Sequence, residues 1–421
     1  MEDINEKLIK VVQHAGKHSS YYKRIFNEAN INVDEFKGIE DLSKLPIVTS
    51  EDLIKYGKEF ACDDAEIYRV SSSSGTSHNP KSLFRTHNDT EMSSIVLERL
   101  LKMAGLKKGD SIYIGQPFDM AHLGYLTMNA CERLGIMAIP AGLSQINEKM
   151  IDLISYYNPT AIFTSVSRMK AIISIIKSSD SINVNPKHIL LAGEPMLPAD
   201  RKLIKDFWGV EPIDLYGSEE TDGLGGGCIN GGMHFMSDLY YLELLPVENA
   251  KCVNNNHKFG EAVITCLYGE GTPLIRYRLG DLIELIPTKC SCGCELPLIK
   301  VHGRIGDSIV LFDGIKLYAY QVEDVLKGEL INLSNYQIVC STLVPGLEEV
   351  VVKVKTADEV ENLEEVEKSI VKKLWDSSLD LAASKEIGSL RFKVEINKED
   401  LYMTKRGKTP KIIDFRISKG R

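Results

Sequence analysis

A segment near residue 75 combines side chains that suit phosphate oxygens. It reads Ser71-Ser-Ser-Ser-Gly-Thr-Ser-His-Asn-Pro-Lys81, and its hydroxyls and backbone N–H groups can donate hydrogen bonds to an anion. Gly75 lets the backbone approach such a ligand closely. The glycine spacing differs from the P-loop pattern GxxxxGK[ST]. Taken alone, the segment is more typical of a solvated loop, so its role depends on what accompanies it elsewhere in the chain.

Sulfur and imidazole ligands for a metal form a second chemical signature. Cys290, Cys292 and Cys294 fall within five positions, and His234 follows Cys228 after a short interval. Cys228, His234, Cys290 and Cys292 make a Cys3His set, a common composition of structural zinc sites. Four protein ligands leave no open position, so such a zinc would brace the fold and would not activate water. Cys294 is an alternate ligand, and free reduced thiols are the alternative to a metal site.

The composition argues against several classes of protein. The 421 residues include 50 lysines and arginines against 59 aspartates and glutamates, a net charge of −9 with no long basic tract, which argues against a nucleic-acid partner. No apolar run reaches the length of about 18 residues that a membrane span needs. Residues 1–20 are charged and amphipathic and have no apolar signal-peptide core. We therefore expect a cytoplasmic protein whose nine cysteines do not indicate disulfides.

The elements that must position these groups are predicted to form an α/β fold. Residues 1–60 are predicted to be helical, and from residue 111 short apolar runs alternate with segments of helical period. The predicted strands are Ser111–Gly115, Ile136–Ile139, Ala161–Thr164 and Ile189–Ala192. The predicted helices are Leu126–Leu134, Ile146–Tyr157, Arg168–Lys177 and Ala199–Phe207. This alternation predicts a mainly parallel sheet with helices, in which ligands bind beyond the strand ends.

After Gly303, the pattern of apolar and polar residues changes in a way that predicts a second, smaller domain. Val350–Lys355 and Leu390–Ile396 alternate like half-exposed strands, and Val360–Leu374 is an amphipathic acidic helix. A chain of this length is long enough for more than one core. We therefore predict a large N-terminal domain over residues 1–303 and a small α+β domain over residues 304–421.

The order of the motifs resembles that of one enzyme superfamily. Ser73–Lys81 is similar to the SSGTTGxPK phosphate loop of the adenylate-forming superfamily (acyl-CoA synthetases, luciferases and nonribosomal adenylation domains), although His78 replaces its second glycine. The later matches resemble the phenylacetate-CoA ligase branch most closely, and together they cover essentially the whole chain. They are Tyr21-Tyr22, Leu45-Pro46, Gly193-Glu194-Pro195, Tyr216-Gly217-Ser218-Glu219-Glu220, Pro273–Asp281, Gly303-Arg304 and Gly407-Lys408.

The resemblance implies how a nucleotide is held. Glu220 aligns with the Mg²⁺-binding glutamate, and a solvated acidic turn that includes Glu219 is the alternative. Asp281 aligns with the residue that accepts both ribose hydroxyls, and an ion pair with a nearby arginine is the alternative. Arg304 is expected near the ribose or phosphate. The implied nucleotide-binding residues are Ser73, Ser74, Gly75, Thr76, Ser77, Lys81, Gly193, Glu194, Pro195, Tyr216, Gly217, Asp281 and Arg304, with Thr76 and Glu220 also assigned to catalysis.

The resemblance also implies a catalytic lysine on a mobile domain. Gly407-Lys408 matches a C-terminal motif whose lysine reaches the substrate carboxylate and the α-phosphate as the adenylate forms. We assign this role to Lys408 in preference to Lys405 and Lys411, and a solvated basic tail is the alternative. At the expected hinge, Gly306 stands where the family carries a carboxylate, which leaves the orientation of the two domains open.

The acid pocket is expected near Pro117–Tyr125, where the family lines its acyl site. Phe118, His122, Gly124 and Tyr125 would suit a flat, mostly apolar acid, and His122 would contact a polar substituent of it. Each aromatic residue is at least as typical of an ordinary core position, and His122 of a satisfied core histidine.

We therefore predict that ATP and Mg²⁺ activate a small, aromatic carboxylic acid to an acyl-adenylate. The acyl group then passes to coenzyme A, with release of pyrophosphate and AMP. Three alternatives stay open: loading of a carrier-protein phosphopantetheine, AMP transfer to a hydroxyl as in coenzyme F390 synthetases, and a nonenzymatic nucleotide-binding relative. Members of this branch are often homodimers, and no feature of the sequence decides that point here.

Overall fold

The computed structural model describes residues 3–72, 81–143, 146–178, 184–247, 258–311, 314–344, 346–403 and 409–416. Within these ranges, no helix combines the length and the apolar character needed to cross a membrane. The predicted α/β class is confirmed. Within the described residues, four sheets and their helices build a large N-terminal unit and a smaller C-terminal unit with a core of its own.

The N-terminal region is helical, as the sequence predicted. It contains α1 (Ile4–His18), α2 (Ser20–Glu28), α3 (Ile39–Leu42) and α4 (Ser50–Tyr56), with short 3-10 turns at Val33–Glu35 and Gly57–Phe60. A capping box between Thr49 and Asp52 starts α4. The buried hydroxyl of Tyr22 donates to the carbonyl of Pro273 at 3.1 Å and accepts the N–H of Ile275 at 3.0 Å. These bonds fix the helices to the segment that ends at Asp281.

Two short strands flank the serine-rich segment. β1 (Arg69–Ser72) and β2 (Ser82–Arg85) pair antiparallel, with Ser72 opposite Ser82. The N–H of Ser72 also donates to the carbonyl of Met120 at 3.0 Å. Both ends of the segment are therefore held next to each other and next to the predicted acid pocket.

One half of an eleven-stranded sheet is parallel. Its strands are β3 (Ser111–Ile114), β4 (Met137–Pro140), β5 (Ala161–Thr164), β6 (His188–Ala192) and β7 (Ile213–Tyr216). The connecting helices are α5 (His87–Met103), α6 (Leu123–Leu134), α7 (Glu148–Tyr157), α8 (Val166–Lys177) and α9 (Pro198–Trp208). All residues of β3 and β5 are buried, which explains why these strands read as continuous apolar runs. The predicted strands and helices of this region are confirmed, apart from their exact ends.

The other half of the sheet is antiparallel and was not located from the sequence. It consists of β8 (Gly225–Gly227), β9 (Met233–Phe235), β10 (Tyr240–Leu245), β11 (Lys258–Cys266), β12 (Tyr277–Ile286) and β13 (Leu298–Arg304). The full order is β10-β11-β12-β13-β9-β8-β7-β6-β5-β3-β4. The reversal from parallel to antiparallel pairing falls at β7, so the turn after Tyr216 lies between the two halves.

The C-terminal unit is a separate α+β structure. Its elements are β14 (Ser308–Val310), β15 (Lys316–Tyr318), α10 (Ala319–Glu329), β16 (Leu333–Val344), β17 (Leu347–Thr356), α11 (Leu363–Asp376), α12 (Leu379–Ile387), β18 (Leu390–Ile396) and β19 (Ile412–Asp414). Four strands form a sheet in the order β18-β17-β16-β19. The predicted strand Leu390–Ile396 is found with the same bounds as β18, the predicted strand Val350–Lys355 is extended in β17, and the predicted helix is shifted slightly in α11.

The connection between the two units lies close to the predicted boundary. β13 continues to Arg304, and the first buried core residue of the C-terminal unit is Ile309. Gly303 takes a left-handed backbone conformation with φ 104°, a conformation in which Gly306 is not found. The exact boundary at residue 303 and the hinge role of Gly306 stay predictions.

Candidate active site

The end of β7 and the paired strands β12 and β13 bring three of the predicted nucleotide residues together. The hydroxyl of Tyr216 donates to Asp281 Oδ2 at 2.7 Å, and Arg304 Nε lies 3.3 Å from Asp281 Oδ1. Asp281 and Arg304 are direct partners in the pairing of β12 with β13. Burial raises the pKa of Asp281, while Arg304 and Tyr216 oppose that shift. The ion pair considered for Asp281 is thus present, and its partner is the arginine assigned to the same nucleotide.

Glu220 is a buried carboxylate next to a cation. Its side chain pairs with the ammonium of Lys81 and accepts the hydroxyl of Tyr277 at 3.1 Å. Burial alone would raise the pKa of Glu220, but the charge and hydrogen bond of Lys81 outweigh it and lower the pKa. Only 6% of Glu220 is exposed. The carboxylate is therefore ionised at a position that favours a positive charge, which is what a Mg²⁺ ligand requires.

The neighbouring acid, Glu219, contacts a different residue from Glu220. One of its carboxylate oxygens lies 2.7 Å from His122 Nδ1, and Asp222 Oδ1 lies 2.8 Å from His122 Nε2. Burial opposes protonation of the ring, but the hydrogen bonds and charges of Asp222 and Glu219 raise the pKa of His122. Both ring nitrogens are therefore engaged by carboxylates. The expected contact of His122 with a polar substituent of the acid stays a prediction.

A buried ionic network supports this turn, and sequence reasoning missed it. Asp222 is bonded by the hydroxyl of Ser93 and lies 3.4 Å from Arg85 Nη2. Arg85 also donates to the carbonyls of Glu219 and Glu220 at 3.4 and 3.2 Å. Burial would raise the pKa of Asp222, but the charge of Arg85 and the hydrogen bond from His122 hold it well below its usual range. The network fixes the backbone that carries Glu220.

Gly217 is required at the start of the turn by a close approach of the backbone. A Cβ atom at this position would lie 1.9 Å from the carbonyl oxygen of Asp222. Asp222 itself has φ 56°, an unusual conformation for a residue other than glycine. The Tyr-Gly pair of the motif therefore has a steric reason that does not depend on a ligand.

Two arginines of the Pro273–Asp281 segment anchor the site structurally. Arg276 lies at φ 48°, and its guanidinium donates to both carboxylate oxygens of Glu243 at 2.9 and 3.0 Å. Arg278 forms a similar pair with Glu261. These paired side chains hold the strand that presents Asp281.

The predicted acid pocket has an aromatic wall. Phe118 packs so closely on Gly124 that a Cβ atom there would lie 2.5 Å from the ring. The hydroxyls of Tyr125 and Tyr68 lie 3.0 Å apart, and the guanidinium of Arg69 lies 4.8 Å from the centroid of the Tyr125 ring. Within the described residues, the buried nitrogens of Arg69 have no hydrogen-bond partner. Arg69 was not among the predicted residues.

The Gly193-Glu194-Pro195 segment follows β6, and it has a structural contact of its own. Gly193 has φ 83°. The carboxylate of Glu194 accepts the N–H and the hydroxyl of Ser167, each at 2.7 Å. Because Ser167 lies in the first turn of α8, this carboxylate satisfies a free N–H at the start of that helix. The contact gives Glu194 a role in addition to the nucleotide contact predicted for it.

Several predicted residues lie outside the described ranges. They are Ser73, Ser74, Gly75, Thr76, Ser77 and Lys408. Lys411, which was set aside in favour of Lys408, places its ammonium 3.8 Å from the centroid of the Tyr336 ring. Desolvation by burial lowers the pKa of Lys411, partly offset by the charge of Glu323. Lys411 is therefore packed within the C-terminal unit.

The predicted cysteine cluster is assembled by β8, β9 and the segment before β13. Cys228 Sγ lies 3.6 Å from Cys290 Sγ, and Cys292 Sγ lies 3.2 Å from His234 Nε2. One donor atom from each of the four residues lies within 4.8 Å of all the others. His234 Nδ1 lies 3.0 Å from the carbonyl of Leu296. That bond leaves the lone pair on Nε2 facing the thiols, as in metal-bound histidines.

The donors of this cluster fit a structural zinc ion. The pKa of Cys290 is lowered to about 7 by hydrogen bonds from the backbone and side chain of Cys292 and from the side chains of Cys228 and His234. Burial acts in the opposite direction and raises this pKa. Cys294 is not part of the four-residue group; its N–H donates to Cys292 Sγ at 3.4 Å. The geometry favours Cys292 over Cys294 as the fourth ligand. The zinc itself stays a prediction.

Comparison with known proteins finds similarity to phenylacetate-coenzyme A ligases. No family model matches the chain. It is 28% identical over 352 residues to a phenylacetate-coenzyme A ligase of Thermus thermophilus, an alignment that covers 79% of this chain and 76% of that protein. It is also 28% identical over 386 residues to a phenylacetate-coenzyme A ligase of Pseudomonas putida, covering 87% and 84%. Over most of its length, the chain is therefore similar to phenylacetate-coenzyme A ligases.

Solved structures show a similar fold. A 2-hydroxyisobutyryl-CoA ligase in complex with 2-HIB-AMP superposes with a TM-score of 0.76 at 21% identity, covering 98% of this chain and 89% of that one. The anthranilate CoA ligase AuaEII gives a TM-score of 0.54 at 16% identity, covering 82% and 66%. The similarity to four phenylacetate-coenzyme A ligases identifies the protein as an AMP-forming acid–CoA ligase.

Proposed function

We propose that this enzyme activates a small aromatic carboxylic acid with ATP and Mg²⁺ and transfers the acyl group to the thiol of coenzyme A. The observation that carries the proposal is a set of two charge pairs, Glu220 with Lys81 and Asp281 with Arg304. Glu220 lies in the turn after β7, where the sheet changes from parallel to antiparallel pairing, a position at which α/β sheets bind ligands. Asp281 lies on β12 and is bonded to the end of β7 by the hydroxyl of Tyr216.

The first half-reaction needs charge neutralisation, because a carboxylate oxygen attacks the α-phosphorus of ATP while pyrophosphate leaves. Glu220 would hold Mg²⁺, which supplies positive charge to the phosphate oxygens. Asp281 would accept the ribose hydroxyls, with Tyr216 orienting its carboxylate. Lys81, at the end of the serine-rich segment, and Lys408 would place cations beside the phosphate oxygens that gain charge.

In the second half-reaction, the thiol of coenzyme A attacks the acyl carbon and AMP leaves. Domain rotation would exchange Lys408 for the thiol at the same acyl group, a gating role known for mobile domains. The four-ligand cysteine cluster would take no part in either step, because zinc held by Cys228, His234, Cys290 and Cys292 has no open position. Its contribution would be to hold β8, β9 and the segment before β13 together.

The aromatic class of the acid is supported by the pocket wall. Phe118, Tyr125 and Tyr68 lie around Gly124 and Arg69, and ring faces of this kind suit a flat substrate. The named relatives are phenylacetate-coenzyme A ligases, whereas the 2-hydroxyisobutyryl-CoA ligase shows that the same fold also serves a branched aliphatic acid.

The test is pyrophosphate release by the purified enzyme with ATP and Mg²⁺ over matched aromatic and aliphatic acids, with and without coenzyme A. We expect release that depends on an aromatic acid, accelerates with coenzyme A and leaves an aryl or arylacetyl thioester in the mass spectrum. Faster turnover of aliphatic acids would overturn the aromatic assignment. Release that accelerates only with a phosphopantetheinylated carrier protein would overturn the choice of acceptor.

A further inference from the structure

A second set of metal-ligand side chains lies on the N-terminal helix, away from the cysteine cluster. His14 and His18 are four residues apart on α1, so both rings project from the same face. Their ring centroids are 5.2 Å apart. Asp64 lies beside them, with a carboxylate oxygen 3.9 Å from His14 Nδ1 and 3.4 Å from His18 Nδ1. One donor atom from each of the three residues lies within 4.8 Å of the other two.

The hydrogen bond of His14 directs its lone pair toward this group. His14 Nε2 lies 2.9 Å from the carbonyl oxygen of Glu270. A carbonyl oxygen only accepts, so Nε2 carries the proton and Nδ1, on the side of Asp64, is left as a donor to a metal. A histidine held by its second nitrogen to a backbone carbonyl is the usual arrangement of a metal-bound imidazole.

The acidic partner is held in place by the backbone. The N–H of Asp63 donates to the carbonyl of His18 at 3.0 Å, and the N–H of Cys62 donates to the carbonyl of Gly271 at 3.0 Å. The carboxylate of Asp63 accepts a hydrogen bond from His18 Nδ1 at 3.0 Å, so an ion bound at this nitrogen would displace that proton and gain Asp63 as a further oxygen ligand. The donor group is therefore built on a helix end and on a segment tied to that helix, which lowers the entropic cost of binding an ion.

The group lies at a cleft of about 620 Å³ that is open to solvent. His14 and Asp64 both line this cleft, together with Lys10, Glu66 and His87. The side chains of His18 and Asp64 are 35% and 45% exposed, so an ion can reach them. Three protein ligands leave at least one coordination position for water or a small anion from the cleft.

We propose that His14, His18 and Asp64 bind a divalent first-row transition-metal ion such as zinc or cobalt, with Asp63 as an auxiliary oxygen ligand. Two imidazole nitrogens and a carboxylate suit this class of ion and differ from the sulfur-rich cysteine cluster in ligand type. The bound ion would join α1 to the segment before β1 and to the turn at Glu270. The competing explanation is a set of surface ion pairs between protonated histidines and aspartates.

Cobalt(II) distinguishes the two clusters in the intact protein, because thiolate ligands give charge-transfer bands that nitrogen and oxygen ligands do not. The experiment measures bound cobalt by equilibrium dialysis and spectra for the wild type, Cys292→Ser, His18→Gln and Asp64→Asn. Asp34→Asn, which removes an exposed carboxylate paired with Lys17, is the matched control.

We expect the wild type and Asp34→Asn to bind one equivalent of cobalt without charge-transfer bands, in addition to any bound at the cysteines. His18→Gln and Asp64→Asn should each weaken that equivalent by about 100-fold or more, while Cys292→Ser should retain it. Circular dichroism identifies variants that fail to fold. If folded His18→Gln and Asp64→Asn bind as much cobalt as the wild type, the proposal is wrong. The same holds if Cys292→Ser binds none.

Discussion

The turn at 216–222 and the cysteine cluster occupy neighbouring strands of one sheet, yet they are stabilised in opposite ways. Glu220 and Asp222 in the turn, and Asp281 on β12 beside it, each lie next to a cationic side chain of the protein. In the cysteine cluster, the donor atoms of three thiols and one imidazole face one another. The charges at the turn are therefore balanced by the protein itself, whereas the cluster would be completed by a cation from outside the chain.

This difference predicts which property each region controls. A turn whose charges are already balanced can fold without its ligand, so substitutions that keep the balance should change chemistry more than stability. A closed metal cluster contributes its binding energy to folding, so its substitutions should change stability more than chemistry. The following experiments test that separation.

The largest effect is expected for Lys408→Ala. Loss of a charge aimed at the transition state should slow acid-dependent pyrophosphate release by about 1000-fold, with no comparable change in melting temperature. Lys405→Ala is the matched control and should keep most of the activity. Normal pyrophosphate release by Lys408→Ala would refute the role assigned to this lysine.

The next effect is expected for Glu220→Gln. Removing the carboxylate takes away the proposed Mg²⁺ ligand and the partner of Lys81, so activity should fall by about 100-fold and need more Mg²⁺. Glu219→Gln provides the comparison, because Glu219 contacts His122 instead. Activity is measured as pyrophosphate release against Mg²⁺ concentration. An equal rise in the Mg²⁺ requirement of both variants would contradict the choice of Glu220 over Glu219 as the Mg²⁺ ligand.

Cys292→Ser should show the opposite pattern. Loss of one zinc ligand should lower the melting temperature by about 5 °C or more, while turnover of the folded enzyme stays within about twofold. Zinc content and thermal unfolding are measured together. Cys294→Ser should behave like the wild type, because Cys294 lies outside the four-residue group. Equal melting temperatures for Cys292→Ser and the wild type, with no bound zinc in either, would remove the metal site.

The smallest effect concerns pH and the buried His122. Because Asp222 and Glu219 raise its pKa on folding, protonated His122 stabilises the folded state fully below its unfolded pKa of about 6.5. That contribution is lost as the pH rises through the folded pKa. The difference in unfolding free energy between the wild type and His122→Gln should therefore shrink from about pH 6 to pH 9 in urea denaturation. A constant difference would contradict the ionic contact.

Much of the site could be predicted because its motifs fix both residue type and order. Tyr216, Asp281 and Arg304 come together as the motifs implied, and so do Glu220 and Lys81. The parallel strands were found because complete burial leaves a plain apolar run, as in β5.

The other parts of the site could not be predicted, because they depend on which residues the folded chain buries together, and this leaves no pattern in the local sequence. Arg85, Ser93 and Asp222 are polar residues in unremarkable sequence contexts, and only the folded chain shows that they are buried together. β8 is three glycines, so it carries no alternation from which a strand could be predicted. The contacts of His122 could not be predicted, because its partners, Glu219 and Asp222, lie far away in sequence.

The pairing of Lys81 with Glu220 has a thermodynamic consequence. The ammonium occupies the place beside the carboxylate that a metal ion would take, so the two cations compete for Glu220. A phosphate that attracts Lys81 would free Glu220 for Mg²⁺, and Mg²⁺ on Glu220 would free Lys81 for the phosphate. By reciprocity, each ligand would raise the affinity of the other by the same factor. The nucleotide and its metal would then load cooperatively, and the empty pocket would keep both of these buried charges neutralised.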